Sequence, residues 1–428
     1  MVARRFRRRT FMAAAAGFFG SGLASAGNAT AQAPRSGADQ LATPSDPGSA
    51  DFGGNFLPPF ADAQPRPLLS KLNEVYSVLD FGAKGDGESD DTAAIERAYS
   101  ALPLSGGVLF LPPGRSFKVR QVNLPLNRPV WTWGYGARVL ATSETPAFRR
   151  MPREQGEAQR AVAHNCSFYG LAFIGNGTPN QMALQIGATY NSVIQDCSFS
   201  GLDTAVDLQF CLMASVRSCM AASNATDSFI ARHGDWPGAT TSNAQSNHTV
   251  FQSCRVHSAQ GSQAAFKLRA SSGIGIYDCI TEGRNTINNI DFDYAGSTTT
   301  RLFTIRNLHS ENVPENAIIK CAGAGIVTVD GVYFQLPTIL IDSSGSQPAT
   351  IFHLSRVPYW PIARPTTQNL LNTNNLMSWP RAKLKADPGT GAWIHWDMIP
   401  GIDLRDSANW VDGAAPRNLI QILAGARR

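Results

Sequence analysis

Asp291 and Asp293 stand two residues apart in Ile290-Asp-Phe-Asp-Tyr294. In an alternating strand Ile290 and Phe292 turn inward and the two carboxylates turn outward. Outward residues at i and i+2 lie roughly 7 Å apart. Inverting glycoside hydrolysis holds its acid and base ~6.5–9.5 Å apart, and retaining hydrolysis ~5–5.5 Å. The pair therefore suits inversion, one carboxyl protonating the leaving oxygen and the other activating water. Glu282 ends the preceding strand and is positioned to join them from the adjoining turn, and Glu311 is its equivalent one repeat later.

Other short strands offer equivalent outward pairs: Gln185/Gly187, Asp207/Gln209, Ile230/Arg232 and Lys267/Arg269. Stacked in parallel about 4.8 Å apart, they bring Asp207, Arg232, Lys267, Arg269, Asp291 and Asp293 to one face. A polyuronate lyase would use this face differently, with Arg269 or Lys267 as base and Ca²⁺ held by Asp207, Asp291 and Asp293. A hydrolase needs no cofactor. His257 and His233 are further proton-transfer candidates. Trp236, beside Pro237 and Gly238 in a long loop, is the candidate for stacking on a sugar ring. A plainer reading competes with both enzymes: Lys267–Asp291 and Arg269–Asp293 as cross-strand pairs that only stabilise a sheet. That reading belongs to a non-catalytic glycan-binding protein.

A repeat positions these residues. Cys197, Cys219, Cys254 and Cys279 each close a short alternating segment, and Gly170, Leu308 and Gly331 mark the same slot in cysteine-free repeats. The steps run from about 22 to 35 residues. Equivalent slots stack, which predicts a buried column of small apolar thiols rather than disulfides. Between the slots lies a second apolar pattern, as in Leu184-Gln-Ile186, Phe266-Lys-Leu268 and Ile290-Asp-Phe292. No single repeat buries its apolar face, so the repeats must stack into one core. Short strands and an irregular period favour a parallel β-helix. The longest step predicts a protruding loop at 233–247.

The segment Tyr76-Ser-Val-Leu-Asp-Phe-Gly-Ala-Lys-Gly-Asp-Gly-Glu-Ser-Asp-Asp-Thr92, followed by Gly107-Val-Leu-Phe-Leu-Pro-Pro-Gly114, resembles the N-terminal signature of the pectate-lyase-like superfamily. The resemblance implies a right-handed parallel β-helix and a carbohydrate substrate, but no single reaction, because the superfamily holds hydrolases, lyases, epimerases and phage tailspikes. The Asn-Thr-Asp, Gly-His-Gly and Arg-Ile-Lys motifs of its polygalacturonase-like members are missing, so no catalytic residue is carried over. The signature itself reads as cap chemistry. Asp90 or Asp91 N-caps a helix from Thr92, with Ala94, Ile95, Ala98 and Tyr99 facing inward, and Gly82, Gly85 and Gly87 suit positive φ.

Composition bounds the rest. The 428 residues are 43% hydrophobic but only 16% charged. Residues 1–33 carry five arginines and no acid, with Arg7-Arg8-Arg9-Thr-Phe-Met ahead of an apolar run, and read as an export signal of twin-arginine type. Without those arginines, bases and acids balance at 32 each. That balance argues against nucleic acid as a partner, and no apolar run reaches membrane-spanning length. The expected organisation is a signal at 1–33, a Pro/Ser/Gly-rich linker at 34–70, an all-β parallel β-helix with an N-terminal capping helix at 71–356, and a Trp-rich segment at 357–428 that closes the solenoid. The expected protein is periplasmic or secreted and cleaves a polysaccharide, with hydrolysis slightly ahead of β-elimination. Nothing in the sequence fixes an oligomeric state.

Overall fold

The computed structural model describes residues 54–58, 62–293 and 301–334 apart from a few turn positions, together with the strands Ile339–Ser346, Ile351–Ser355, Lys383–Lys385 and Trp393–Trp396. The export signal, the start of the linker and most of the Trp-rich segment, including its closing role, lie outside the described residues. The described part of the linker pairs Asn55–Phe56 with Arg66–Pro67 and leads into a short helix, Leu68–Leu72.

The chain winds as a right-handed parallel β-helix. A typical coil runs Ala264–Arg269, Ile274–Tyr277, Ile280–Gly283, then re-enters the first position one coil on with Asn288–Asp293. First strands form a ten-stranded parallel sheet, and second and third strands together form a twenty-stranded one. The ladders run past residue 356: Lys383–Lys385 pairs with Ile339–Ser346, and Trp393–Trp396 with Ile351–Ser355.

Alternation dictates the core. Phe229, Phe266, Ile290 and Ile319 are register neighbours on successive first strands, all fully buried. Phe229 and Phe266 stack at 5.6 Å between centroids, and Phe173 and Phe199 at 5.4 Å. The corner between second and third strands is one residue in the left-handed region. Asp196, Ser218, Ser253, Asp278 and Asn307 occupy it with φ near +50°, and Gly170 and Gly331 occupy it elsewhere. Short polar residues and glycine tolerate that conformation best. The next residue points inward: Leu171, Cys197, Cys219, Cys254, Cys279, Leu308 and Val332 form a buried column. Gly170 and Gly331 thus stand one residue ahead of the cysteine slot, a small shift from the sequence alignment. All seven cysteines are buried and none is in a disulfide. Cys219, Cys254 and Cys279 each donate the thiol hydrogen to a carbonyl of the preceding coil, at 3.4–3.5 Å.

The helix Thr92–Ala101 covers the N-terminal end, burying Ala94, Ile95, Ala98 and Tyr99. The acidic cluster before it organises a turn. Asp91 accepts from the amides of Lys84 and Gly85, and Asp90 accepts from the amide and hydroxyl of Thr92. Gly82, Gly85 and Gly87 all have positive φ.

Candidate functional site

The first-strand sheet presents its outward residues as two rows. One reads Arg149, Gln185, Asp207, Ile230, Lys267, Asp291 and Lys320, and the other Gly187, Gln209, Arg232, Arg269 and Asp293. Three cations lie over three carboxylates. Arg232 grips Asp207 through Nε and Nη2, both at 2.9 Å. Lys267 Nζ meets Asp227 Oδ2 at 2.8 Å. Arg269 Nη2 meets Asp291 Oδ2 at 2.7 Å, and its Nη1 donates to the Asp291 carbonyl. The cations keep 25%, 27% and 23% of their side chains exposed, while Asp207, Asp227 and Asp291 keep 1%, 3% and 11%. Asp207, Asp227 and Asp291 form a buried underlayer beneath the three cations, while Asp235, 71% exposed, meets Arg232 Nη1 from outside at 3.1 Å. The order follows from chain length, because Arg and Lys reach over a short Asp and keep their heads in water.

The register sets Lys267 beside Asp291 and Arg269 beside Asp293. Lys267 nonetheless reaches back to Asp227 on the preceding strand. Sequence reasoning missed Asp227 because it shares the parity of inward Phe229, so alternation assigned it to the core. Burial pushes its carboxyl above the ordinary range, against the pull of Lys267 and Arg269. Its Oδ1 and that of Asp291 are buried without a hydrogen-bond partner.

His233 follows Arg232 at the exit of its strand, and its amide donates to the Arg269 carbonyl at 3.2 Å. Burial and then the Arg232 charge hold its imidazole below the usual histidine value. Its Nδ1 is buried without a hydrogen-bond partner.

Three expectations are corrected. Asp207 stands three coils from Asp291, or roughly 14 Å by the ladder spacing, and Ca²⁺ needs its oxygens at about 2.3–2.6 Å. Asp207, Asp291 and Asp293 therefore do not fit one calcium ion. Among the described residues no cluster of three or more His, Cys, Asp or Glu is arranged to hold a metal. Trp236 is only 7% exposed. It packs with Ala158, Ala161, Ala188 and Ala244, and its Nε1 donates to Gln155 Oε1 at 2.8 Å. The loop at 233–247 does not protrude freely: it folds onto the helix Gln155–Ala161, and Trp236 is the apolar anchor of that packing.

Glu282 does not join the Asp291 face. It lies on the third-strand sheet, where its Oε1 accepts from Arg255 Nε at 2.5 Å and faces His257 Nδ1 at 3.3 Å. The Arg255 hydrogen bond holds its carboxyl below the ordinary range. Glu311 is paired with His309 at 2.8 Å, and the His309 ring stacks on Tyr333. Arg255, Glu282, His309 and Glu311 line an open depression of about 550 Å³ on that side. The predicted residues thus divide into two groups, one on each sheet.

This geometry is that of a parallel β-helix with a charged outer face. Residues 75–119 match the family model described as Rhamnogalacturonase A/epimerase, pectate lyase-like. Over 40 residues the chain is 55% identical to Alginate lyase 7 and 58% identical to Mannuronan C5-epimerase AlgE5, both of Azotobacter vinelandii. Those stretches are 9% of this chain and only 5% and 4% of the two relatives. A tailspike protein variant of E. coli bacteriophage HK620, solved in complex with pentasaccharide, is similar at 13% identity over 80% of this chain and 71% of its own, with a TM-score of 0.53. At that identity the likeness is one of fold. Among the described residues no helix is long and apolar enough to cross a membrane.

Proposed function

We propose that the protein is an exported enzyme acting on a polyuronate, and that it removes the proton alpha to a uronate carboxylate. One observation carries the reading: His233, with its imidazole pushed toward the neutral form by burial and by the Arg232 charge, follows Arg232 at the exit of its strand, and its backbone amide is bonded to the carbonyl of Arg269 on the neighbouring strand. A neutral imidazole accepts the proton. The guanidiniums neutralise the substrate carboxylate as charge moves into it from the breaking C–H bond. If the oxygen substituent on the neighbouring carbon then leaves with the electron pair, the chain is cut by β-elimination. If the carbanion is reprotonated from the other side, the sugar is epimerised. The matched relatives carry the names of a lyase and an epimerase of this substrate class, although the match is confined to the cap region.

The test is turnover of polymannuronate and polygalacturonate, read at 235 nm and by exchange of the sugar C–H with solvent deuterium. Absorbance or exchange is expected, with His233→Ala lowering it by about 10²–10⁴-fold. Activity should fall on acidification, with its midpoint below the ordinary histidine value. Neither signal on either polymer would overturn the reading. Hydrolysis is the second reading, favoured by the raised carboxyl of Asp227. It predicts new reducing ends without absorbance.

A further inference from the structure

The outward row of the second strands has no part in this reaction. Its register runs Phe110, Trp133, Tyr169, Gln195, Arg217, Gln252, Tyr277 and Arg306, one residue per coil. Beside it, in the corner of the Trp133 coil, stands Tyr135. Trp133 and Tyr135 are 46% and 54% exposed. Isolated exposed aromatics need no explanation, but these are held in place. A Cβ on Gly170 would fall 2.4 Å from the Tyr135 ring, so the ring lies against the bare backbone of the next coil. Its hydroxyl donates to Asp196 Oδ2 one coil further on, at 2.8 Å, and that bond pushes the phenol pKa up to about 12. Trp133 meets Tyr169 edge to face at 6.5 Å. Further along, Tyr277 lies over Gly275 of its own strand, with the Arg306 guanidinium 5.0 Å above its ring.

We infer that this row is a second glycan-binding track, running parallel to the reactive face. Aromatic rings fixed before a ligand arrives suit the flat face of a pyranose, since little freedom is lost on binding. Gln195, Arg217 and Gln252 continue the line with amide and guanidinium groups suited to sugar hydroxyls and ring oxygens. The coil step of about 4.8 Å approximates one sugar residue of an extended chain. A second copy of the protein fits less well, because the rings give way to Gln and Arg where an apolar self-interface would continue. The occupant is therefore a polysaccharide strand, held on a face that does no chemistry.

The inference does not depend on the reaction, and its test separates the two. Full-length protein is run in native gels containing polymannuronate, polygalacturonate or a neutral mannan. Retardation by at least one polymer is expected. Trp133→Ala should raise the apparent dissociation constant by about tenfold, and Gln252→Glu should weaken retardation by the uronates specifically. Turnover of short oligomers and the unfolding midpoint should stay unchanged in both variants. Retardation unaltered in both variants, or no retardation by any polymer, overturns the track. So does a concentration-dependent dimer, seen by sedimentation, that Trp133→Ala dissociates, since the row would then be a contact between copies. A wild type that is retarded yet turns over nothing refutes the reaction and leaves the track standing.

Discussion

The first-strand and third-strand faces carry similar charged groups at the same coil spacing, yet they differ in depth. On the first face Asp207, Asp227 and Asp291 are buried under Arg232, Lys267 and Arg269. On the third, Arg255, His257, His309 and Glu311 stand about half exposed, and only Glu282 is well covered. Asp has a short stem that keeps its carboxylate near the sheet, whereas Glu311 carries its carboxylate outward and Glu282 is held down by Arg255 and His257. A charge held near the sheet loses water and depends on its partner. A charge held outward keeps water and hardly needs one. The contrast shows that a row of ion pairs has no fixed energetic meaning until the depth of each member is known.

The largest expected difference is between Arg232→Ala and Arg255→Ala. The first leaves Asp207 buried and without its cation, a situation that costs about 3–5 kcal/mol. The second removes an exposed partner and leaves Glu282 with His257 beside it, so it should cost less than about 1 kcal/mol. Urea unfolding of the two variants at neutral pH measures both, and equal losses would erase the contrast.

The next difference is one of sign. Asp227 has a folded pKa raised above its ordinary value of 3.8. The folded state then binds the extra proton, so stability is lost as pH rises through the folded value. Glu282 has a folded pKa lowered from 4.5. Its contribution is present above 4.5 and is lost as pH falls through the folded value. Asp227→Asn should remove a falling limb of the stability–pH curve, and Glu282→Gln a rising one. Thermal unfolding from pH 3 to 8 reads both, and limbs of the same sign would show that depth does not order the two faces. The smallest effect is expected at Glu311→Gln, whose pairing with His309 lies in water and should be worth a few tenths of a kcal/mol.

Much of this fold was legible because a solenoid repeats its signals. The cysteine slot recurs with a polar residue before it, and only a one-residue corner puts both where they belong. The outward pairs followed from alternation within each first strand, and the ladder register reproduces them. Side-chain reach was not legible. Nothing in Ala-Phe-Lys-Leu-Arg says that Lys267 turns back to Asp227 instead of forward to Asp291. Parity also hid Asp227, because the first residue of a strand need not obey the alternation that governs its middle. Trp236 misled for another reason. A Trp in a Gly/Pro-rich loop reads as exposed until the segment it packs on, here Gln155–Ala161, is known to be a helix beside it.

The single left-handed residue between second and third strands has a consequence for how such a chain can change over generations. An insertion at Asp278 would pass its shift to Cys279 and the strand beyond, exchanging inside for outside across a whole segment. The other corners have already absorbed long excursions such as 233–247. Length variation is thus accommodated at the exits of the first strands and excluded at the cysteine column, so lineages can remodel the loops around the charged face while inheriting the sheet beneath it unaltered.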